Sequence, residues 1–398
     1  MGPEGVCAAY GGMVMPTYSP EDAARVLPSF DLYGQVVSVE RYGCGHINDT
    51  FLVVTRKPGA VKEHRYILQR LSPVAFHEPE KVMENIAGVT AFLKDRIRER
   101  GGDPDRETLI IIPARDGRDY ILDQEHGGCW RMYLFIENSF TCQQAESEEV
   151  FRESARAFGA LQRDLTAYPA ESLHETIPDF HNTPRRVQAL EAAVRQDAAG
   201  RAAGVQAEIA FALARKARTT ALVEAQRKGE LPLRVTHNDT KLNNVLLDRT
   251  TGKAMCVVDL DTVMPGLCAY DFGDAIRFGA NTAAEDEANL DKVHFSMPMF
   301  RAYCEGYLEK TGGLLTAAEV RSLPLGAWMM TYEVGIRFLT DYLDGDCYFH
   351  TDYPEHNLVR ARNQFALLRD MERQEQDMRD AVELWLMGQQ GKDKEDAQ

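Results

Sequence analysis

Short apolar and β-branched runs at 36–39, 50–55 and 65–68 predict three strands early in the chain. Ser19, ahead of Pro20-Glu21-Asp22, is placed to cap a short helix ending near Leu27. Between residues 79 and 98, Val82, Ile86, Val89 and Leu93 recur at helical spacing and predict one amphipathic helix. Three further strand runs follow at 109–112, 120–122 and 130–136. Beyond Glu137 the period changes. Phe151, Ala155, Phe158 and Leu161 place a helix over 149–164, and the alanine-rich stretch 183–228 predicts one or two more. Residues 283–310, 316–344 and 354–389 also read as helical, while residues 1–18 and the charged end 391–398 read as loose tails. The pattern predicts an α+β protein of two lobes: a small mixed-sheet N-lobe over 19–137 with one main helix, and a larger, mainly helical C-lobe over 138–390.

Composition agrees with this division. A chain of 398 residues with 44% hydrophobic content is long for one domain and can bury a large core. Its formal charge of −16 argues against nucleic acid or an anionic membrane as the main partner. Eight cysteines occur without a Cys-x-x-Cys pair, several of them in apolar runs, which suits a reducing cytoplasm. The N-terminus lacks a basic, apolar leader, and no apolar run is long enough to span a bilayer. The expectation is a cytoplasmic protein.

Candidate chemistry concentrates between Val235 and Asp274. His237-Asn238-Asp239 is followed five residues later by Asn244, and the run Met255-Cys256-Val257-Val258 delivers Asp259. This order fits the frame H-x-D-x-x-x-x-N followed by an aspartate, the arrangement used for phosphoryl transfer from ATP. Asp239 would take the proton of the acceptor hydroxyl, and Asn244 and Asp259 would offer oxygen ligands to magnesium. Turn residues at 248–253 lie between two β-type runs, 245–247 and 256–258, so a hairpin should bring Asn244 beside Asp259. Asp261 shares the face of Asp259 if the strand continues, as a further metal ligand. Singly, Asp239 reads as a helix cap and Asn244 as a turn residue; the ordered set favours catalysis. A sulfatase-type Cys/Ser-x-Pro-x-Arg, a His-Glu-x-x-His zinc motif and a Walker A loop are all absent from the sequence.

On VTHNDTKLNNVLLD and VVDLDTVMPGLCAYDFGDAIRFGAN the chain resembles the aminoglycoside phosphotransferase and choline kinase superfamily. HETIPDFHNTPRR and IRFLTDYLDGDCYF are similar to the N-acetylhexosamine 1-kinase branch. The resemblance covers most of residues 20–370. It implies a protein-kinase-like two-lobed fold, ATP and Mg2+, and a small sugar acceptor phosphorylated at its anomeric hydroxyl. It further implies that Asp271 and Asp274 brace the catalytic loop, with Asp274 as structural support, and that Arg337 and Tyr348 contact the sugar. Asp341 is offered by the same segment as Arg337 and Tyr348, and Arg277 and Phe180-His181-Asn182 are weaker candidates for the same pocket. His237 is expected to support the loop by hydrogen bonds. Lys241 is either an exposed lysine or a neutraliser of phosphate charge.

For the nucleotide, Gly43, Gly45, His46 and Asn48 form a candidate loop over the phosphates, although Gly-x-Gly is also an ordinary turn. A lysine is missing from the third strand; Gln69 and Arg70 are the alternatives, on opposite faces, with Arg70 favoured on charge and Glu84 as its partner. Glu137, in the hinge 136–138, would meet adenine through its backbone. Other readings are a choline, ethanolamine or aminoglycoside kinase, and a nucleotide-binding pseudokinase.

Overall fold

The computed structural model describes residues 18–43, 48–73, 75–123 and 128–396, with side chains up to 389. Helix α1 (Pro20–Val26) opens on a reciprocal cap, in which Ser19 accepts from the Asp22 amide and Asp22 accepts from the Ser19 amide. A five-stranded antiparallel sheet follows in the order β1-β2-β3-β5-β4, built from β1 (Gln35–Arg41), β2 (Asp49–Arg56), β3 (Glu63–Leu71), β4 (Ile121–Leu122) and β5 (Cys129–Leu134). Helix α2 (Pro79–Glu99) buries Val82, Ile86, Val89 and Leu93, the stripe read from the sequence.

Strand alternation gives this sheet two different faces. Phe51, Val53, Tyr66, Leu68, Trp130 and Met132 join Tyr18, Phe30 and α1 in one apolar cluster. Cys129 and Tyr133, on the other face of β5, join the main core with α2 and the larger lobe. Residues 109–112 do not form the expected strand. They lie along β5 through the bridge of Ile111 to Tyr133 and main-chain bonds from Leu134 to Ile110 and from Ile112 to Met132.

The larger lobe is helical: α3 (Glu148–Asp164), α4 (Thr183–Gln196), α5 (Gln206–Leu213), α6 (Ala221–Arg227), α7 (Cys268–Gly279), α8 (Met297–Thr311), α9 (Ala317–Asp344), α10 (His356–Arg373) and α11 (Glu375–Asp396). The stretch 183–228 thus breaks into three helices, the first ended by Asp197 in the left-handed region. Most of 283–296 is irregular, because Ser296 caps α8 and Pro298 occupies its first turn. Helix α11 runs into the segment expected to be a loose charged tail and carries the main chain to Asp396. Two small antiparallel sheets complete the lobe, β6 (Ser139–Phe140) with β8 (Val245–Asp248) and β9 (Ala254–Val257), and β7 (Arg234–Thr236) with β10 (Met264–Gly266). The hairpin β8–β9 forms as its turn residues imply, with Val245 opposite Val257. No helix among the described residues is long and apolar enough to cross a membrane.

Candidate active site

The site grows from two loops held by the pairing of β7 with β10. In the first, Asn238 takes φ 65°, and in the second Asp259 takes φ 61°. Asparagine and aspartate are the side-chain-bearing residues that tolerate the left-handed region best. Asn238 donates its amide hydrogens to the carbonyls of Thr236 and Thr262, and the Thr262 hydroxyl donates to the His237 carbonyl at 2.6 Å. His237 Nε2 lies 2.9 Å from the Val258 carbonyl, while its Nδ1 receives the Asp239 amide at 3.3 Å. The two contacts fix one tautomer, with the proton on Nε2.

Helix α7 braces the first loop from below. Asp271 accepts the amides of His237 (2.8 Å) and Asn238 (2.7 Å). Burial pushes the Asp271 carboxyl up against the pull of His237 and these amides. Asp274 accepts the Thr240 amide at 2.9 Å and holds Arg277 with its other oxygen. Arg277 is buried and also pairs with Glu285 at 2.5 Å, so its guanidinium is spent inside the lobe.

Asp239 lies 3.0 Å from Lys241 Nζ and receives the Asn244 side-chain amide at 3.2 Å. Enclosure would raise this carboxyl, but the Lys241 charge outweighs it and holds Asp239 below the ordinary carboxylate range. The same pairing raises Lys241. Asn244 Nδ2 also bonds the Asp239 main-chain carbonyl at 2.8 Å, which leaves the amide oxygen as the atom that can serve a cation. The Asn244 carbonyl accepts from Val258, so the hairpin sets Asn244 one residue from the level of Asp259.

Strand β9 ends at Val257, and Asp259 caps a short 3₁₀ turn at Leu260–Thr262. Asp261 therefore does not continue the strand face as expected. It turns into a buried pair with Arg131 of β5, at 2.5 Å, with side chains 4% and 1% exposed respectively. Asn48 also donates to Asp261, at 2.6 Å. Asp259 is open to the cleft. Its carboxyl is pushed up to about 7, by enclosure between the lobes and then by the charges of Asp261 and Asp239. Because solvent still reaches this carboxylate, the like-charge repulsion is the firmer cause.

Among the described residues, the small-lobe cation that reaches the site is Arg131, not Arg70. Cross-strand pairing sets Gln69 against Arg131 and Arg70 against Trp130. Gln69 Oε1 accepts from Arg131 Nη2 at 2.8 Å on the cleft face. Arg70 lies on the opposite face, stacked 3.9 Å from the Tyr18 ring centre and 3.8 Å from Asp49. The expected Arg70–Glu84 pair is absent; Glu84 meets His174 at 2.6 Å. A lone arginine inside Cys129-Trp130-Arg131-Met132-Tyr133-Leu134 was the signal to read, since a charge in an apolar strand needs a buried partner. Gly43 takes φ 79°, whereas Gly45 and His46 lie outside the described residues. Asn48 is at the cleft, but both ends of its amide are engaged, with Asp261 and with the Ser72 main chain. The Glu137 side chain pairs with Arg65.

On the acceptor side, the Arg337 guanidinium lies 5.4–5.7 Å from the ring centres of Phe180, Tyr348 and Phe349. Asp341 is a correction. It is buried and accepts the amides of Cys347, Tyr348 and Phe349 together with the Asn357 side chain. It shapes the loop that carries Tyr348, and its oxygens are used.

Among the described residues, no three His, Cys, Asp or Glu side chains form a metal cage. Asn244 and Asp259 offer two oxygens beside a crowded set of carboxylates, which fits a magnesium ion that keeps water and phosphate ligands. Residues 38–305 match the model of the phosphotransferase enzyme family. Among solved structures, a microcompartment-associated aminopropanol kinase is similar with a TM-score of 0.57 at 18% identity, covering 91% of this chain and 99% of its own. A spectinomycin phosphotransferase solved with ADP and spectinomycin matches at TM-score 0.52 and 11% identity, over 91% and 99%. Choline kinase from Cryptosporidium parvum matches at 0.53 and 13%, over 88% and 93%. At such identities the likeness establishes the two-lobed fold.

Proposed function

This chain belongs to the phosphotransferase enzyme family, and on that premise we propose that it is an ATP- and magnesium-dependent kinase of an N-acetylhexosamine. The acceptor atom is the anomeric hydroxyl, and the product is the sugar 1-phosphate. One observation carries the reading: Asp239 is an ionised carboxylate held between Lys241 and Asn244 on a loop tied down by Asp271 and Asp274.

In this mechanism Asp239 accepts the proton of the sugar hydroxyl as its oxygen bonds to the γ-phosphorus and the bond to the β–γ bridging oxygen breaks, releasing ADP. Lys241 keeps Asp239 charged and balances negative charge on the group in transit. Asn244 and Asp259 would hold magnesium, which when bound would offset negative charge on the transferring phosphates. Asp261 is kept in place by Arg131 and Asn48, which joins the sheet to the metal-binding turn. The nucleotide would lie between the sheet and this turn, with its base at the hinge near Glu137 where the N-lobe passes into the C-lobe. The ADP complex of the spectinomycin phosphotransferase supports a nucleotide donor.

The choline and aminoglycoside alternatives place a cationic acceptor in this cleft. Here the aromatic set Phe180, Tyr348 and Phe349 already surrounds Arg337, and Arg186 stands near it. Two guanidinium groups oppose a cation and suit a neutral polyol. Arg337→Ala is expected to raise KM for the sugar about tenfold, the worth of a charged hydrogen bond, with KM for ATP unchanged. Steady-state kinetics with both substrates varied checks this, and equal effects on both would remove Arg337 from the acceptor site.

The decisive experiment is phosphorus NMR of the protein with Mg-ATP and a pool of N-acetylhexosamines, hexoses, choline, 1-amino-2-propanol and an aminoglycoside. A phosphate doublet coupled to an anomeric proton is the expected product. A phosphomonoester elsewhere keeps the kinase and overturns the acceptor.

A further inference from the structure

A cavity of about 380 Å3 lies beside the catalytic loop, with Asn238, Met264, Leu267, Tyr270, Phe180 and His181 among its walls. That volume accommodates a monosaccharide-sized ligand. His181 is only 8% exposed, and its ring is set between Phe180 and Tyr270, with ring centres 4.5 and 5.2 Å away.

Its two nitrogens have different fates. Nδ1 lies 2.9 Å from Glu333 on α9, a residue with no exposure that stands outside the cavity lining. The Thr183 hydroxyl donates to the other Glu333 oxygen at 2.6 Å. Nε2, at the far edge of the ring, has no hydrogen-bond partner among the described residues. Burial pushes the Glu333 carboxyl up, but the hydrogen bond from His181 and the charges around it, Arg186 and Arg337 among them, more than reverse this. Glu333 is therefore an acceptor only, and the proton between the two groups belongs to Nδ1. In the neutral ring, Nε2 then carries a bare lone pair on the edge of the ring away from Glu333. A buried polar atom without a protein partner calls for one, such as an ordered water or a ligand group.

We propose that His181 reads the phosphoryl acceptor: its Nε2 receives a hydrogen bond from an N–H or O–H of the molecule seated in this cavity. Glu333 and Thr183 are positioning residues that hold the tautomer. The inference rests on the small-molecule kinase reading and deepens it. The pocket selects acceptors with a donor at that position, such as an amide N–H or a ring hydroxyl, and works against a trimethylammonium group, which has none. A site built around one hydrogen bond discriminates strongly against the analogue that lacks it.

Two measurements test this. In the first, 15N-histidine NMR, with the His181 signal identified by its loss in His181→Gln, reads the Nε2 shift directly and needs no turnover. The expected result is an unprotonated Nε2 that moves on adding N-acetylglucosamine or N-acetylgalactosamine, and moves less with the N-methylated analogues or the analogue lacking the relevant hydroxyl. A protonated Nε2, or no shift with any acceptor of the pool, overturns the proposal. If Nε2 responds but no phosphate is transferred, the kinase reading fails while the binding role stands. In the second, kcat/KM is compared for the best acceptor and its singly deoxy or N-methyl analogues. Removing the donor that meets His181 should cost the wild type ~10-fold or more and cost His181→Ala nothing further, with His181→Gln partly restoring the difference and KM for ATP unmoved. Equal analogue losses in wild type and His181→Ala at every position overturn it.

Discussion

At Asp239, enclosure raises the carboxyl and Lys241 lowers it, and the net direction is downward. The residue is thus ready to accept a proton at neutral pH, at the expense of some basicity. Asp239→Asn is expected to reduce turnover by about 10²–10⁴, the usual worth of a general base, with nucleotide affinity nearly unchanged; a near-native rate would exclude it as the base. Asp259 shows the opposite balance, with a carboxyl near 7 against an ordinary 3.8. Its protonated form is favoured in the folded protein, so its contribution to stability is present at acid pH and lost as pH rises through 7. A cation must displace that proton, so Mg-nucleotide affinity should rise between about pH 6 and 8 and then level off. Calorimetry across that range checks the sign. An affinity independent of pH would take Asp259 out of the metal site.

Helices α7 and α9 meet through glycine. A Cβ on Gly273 would stand 2.2 Å from the Gly326 carbonyl oxygen, and one on Gly326 would stand 2.1 Å from that of Ala269. Two backbones in such contact leave no room for a methyl group. Gly273 lies between Asp271 and Asp274, so this contact sets the height at which both carboxylates meet the catalytic loop. Gly273→Ala is expected to cost about 1–3 kcal/mol of stability and to lower turnover more than KM; denaturant melts with kinetics on the same samples test both. The helix stripe of α2 and the hairpin β8–β9 were legible in the sequence because their periods and turn residues are local signals. The irregular stretch before α8 and the three-way break of 183–228 were not, because alanine-rich sequence favours helix and the stops are set by Asp197 and by packing.

For the molecule as a whole, the small lobe grips the turn that carries Asp259 and Asp261 at three points. Arg131 and Asn48 reach Asp261, and Asn85 of α2 donates to the Val263 carbonyl at 3.0 Å. The Arg131–Asp261 pair is wholly inside the protein, where removing one partner strands a charge and costs about 3–5 kcal/mol. Arg131→Met and Asp261→Leu should each destabilise by that order, and the double variant by clearly less than the sum of the two. Denaturation of all four proteins gives the coupling; additive losses would mean that the two lobes are not joined through this pair. The cleft therefore closes on a charge pair shared by β5 and the metal-binding turn, where the Arg70–Glu84 pair expected from β3 and α2 does not form.

The sequence alone determined the order of chemistry in this protein. His237-Asn238-Asp239, Asn244 and Asp259 stand close along the chain, so their spacing and the hairpin between them predicted the cluster before any fold was known. It also set the two-lobed α+β plan through the change from strand to helical period. Only tertiary structure decided which charge meets which. Arg70 and Arg131 are both arginines on adjacent strands, and their roles are set by which face of the sheet turns toward the cleft. Asp341 reads as a free carboxylate until the loop at 347–349 wraps around it. His181 and Glu333 lie 152 residues apart. Such pairings depend on burial and on long-range register, and neither is written in local spacing.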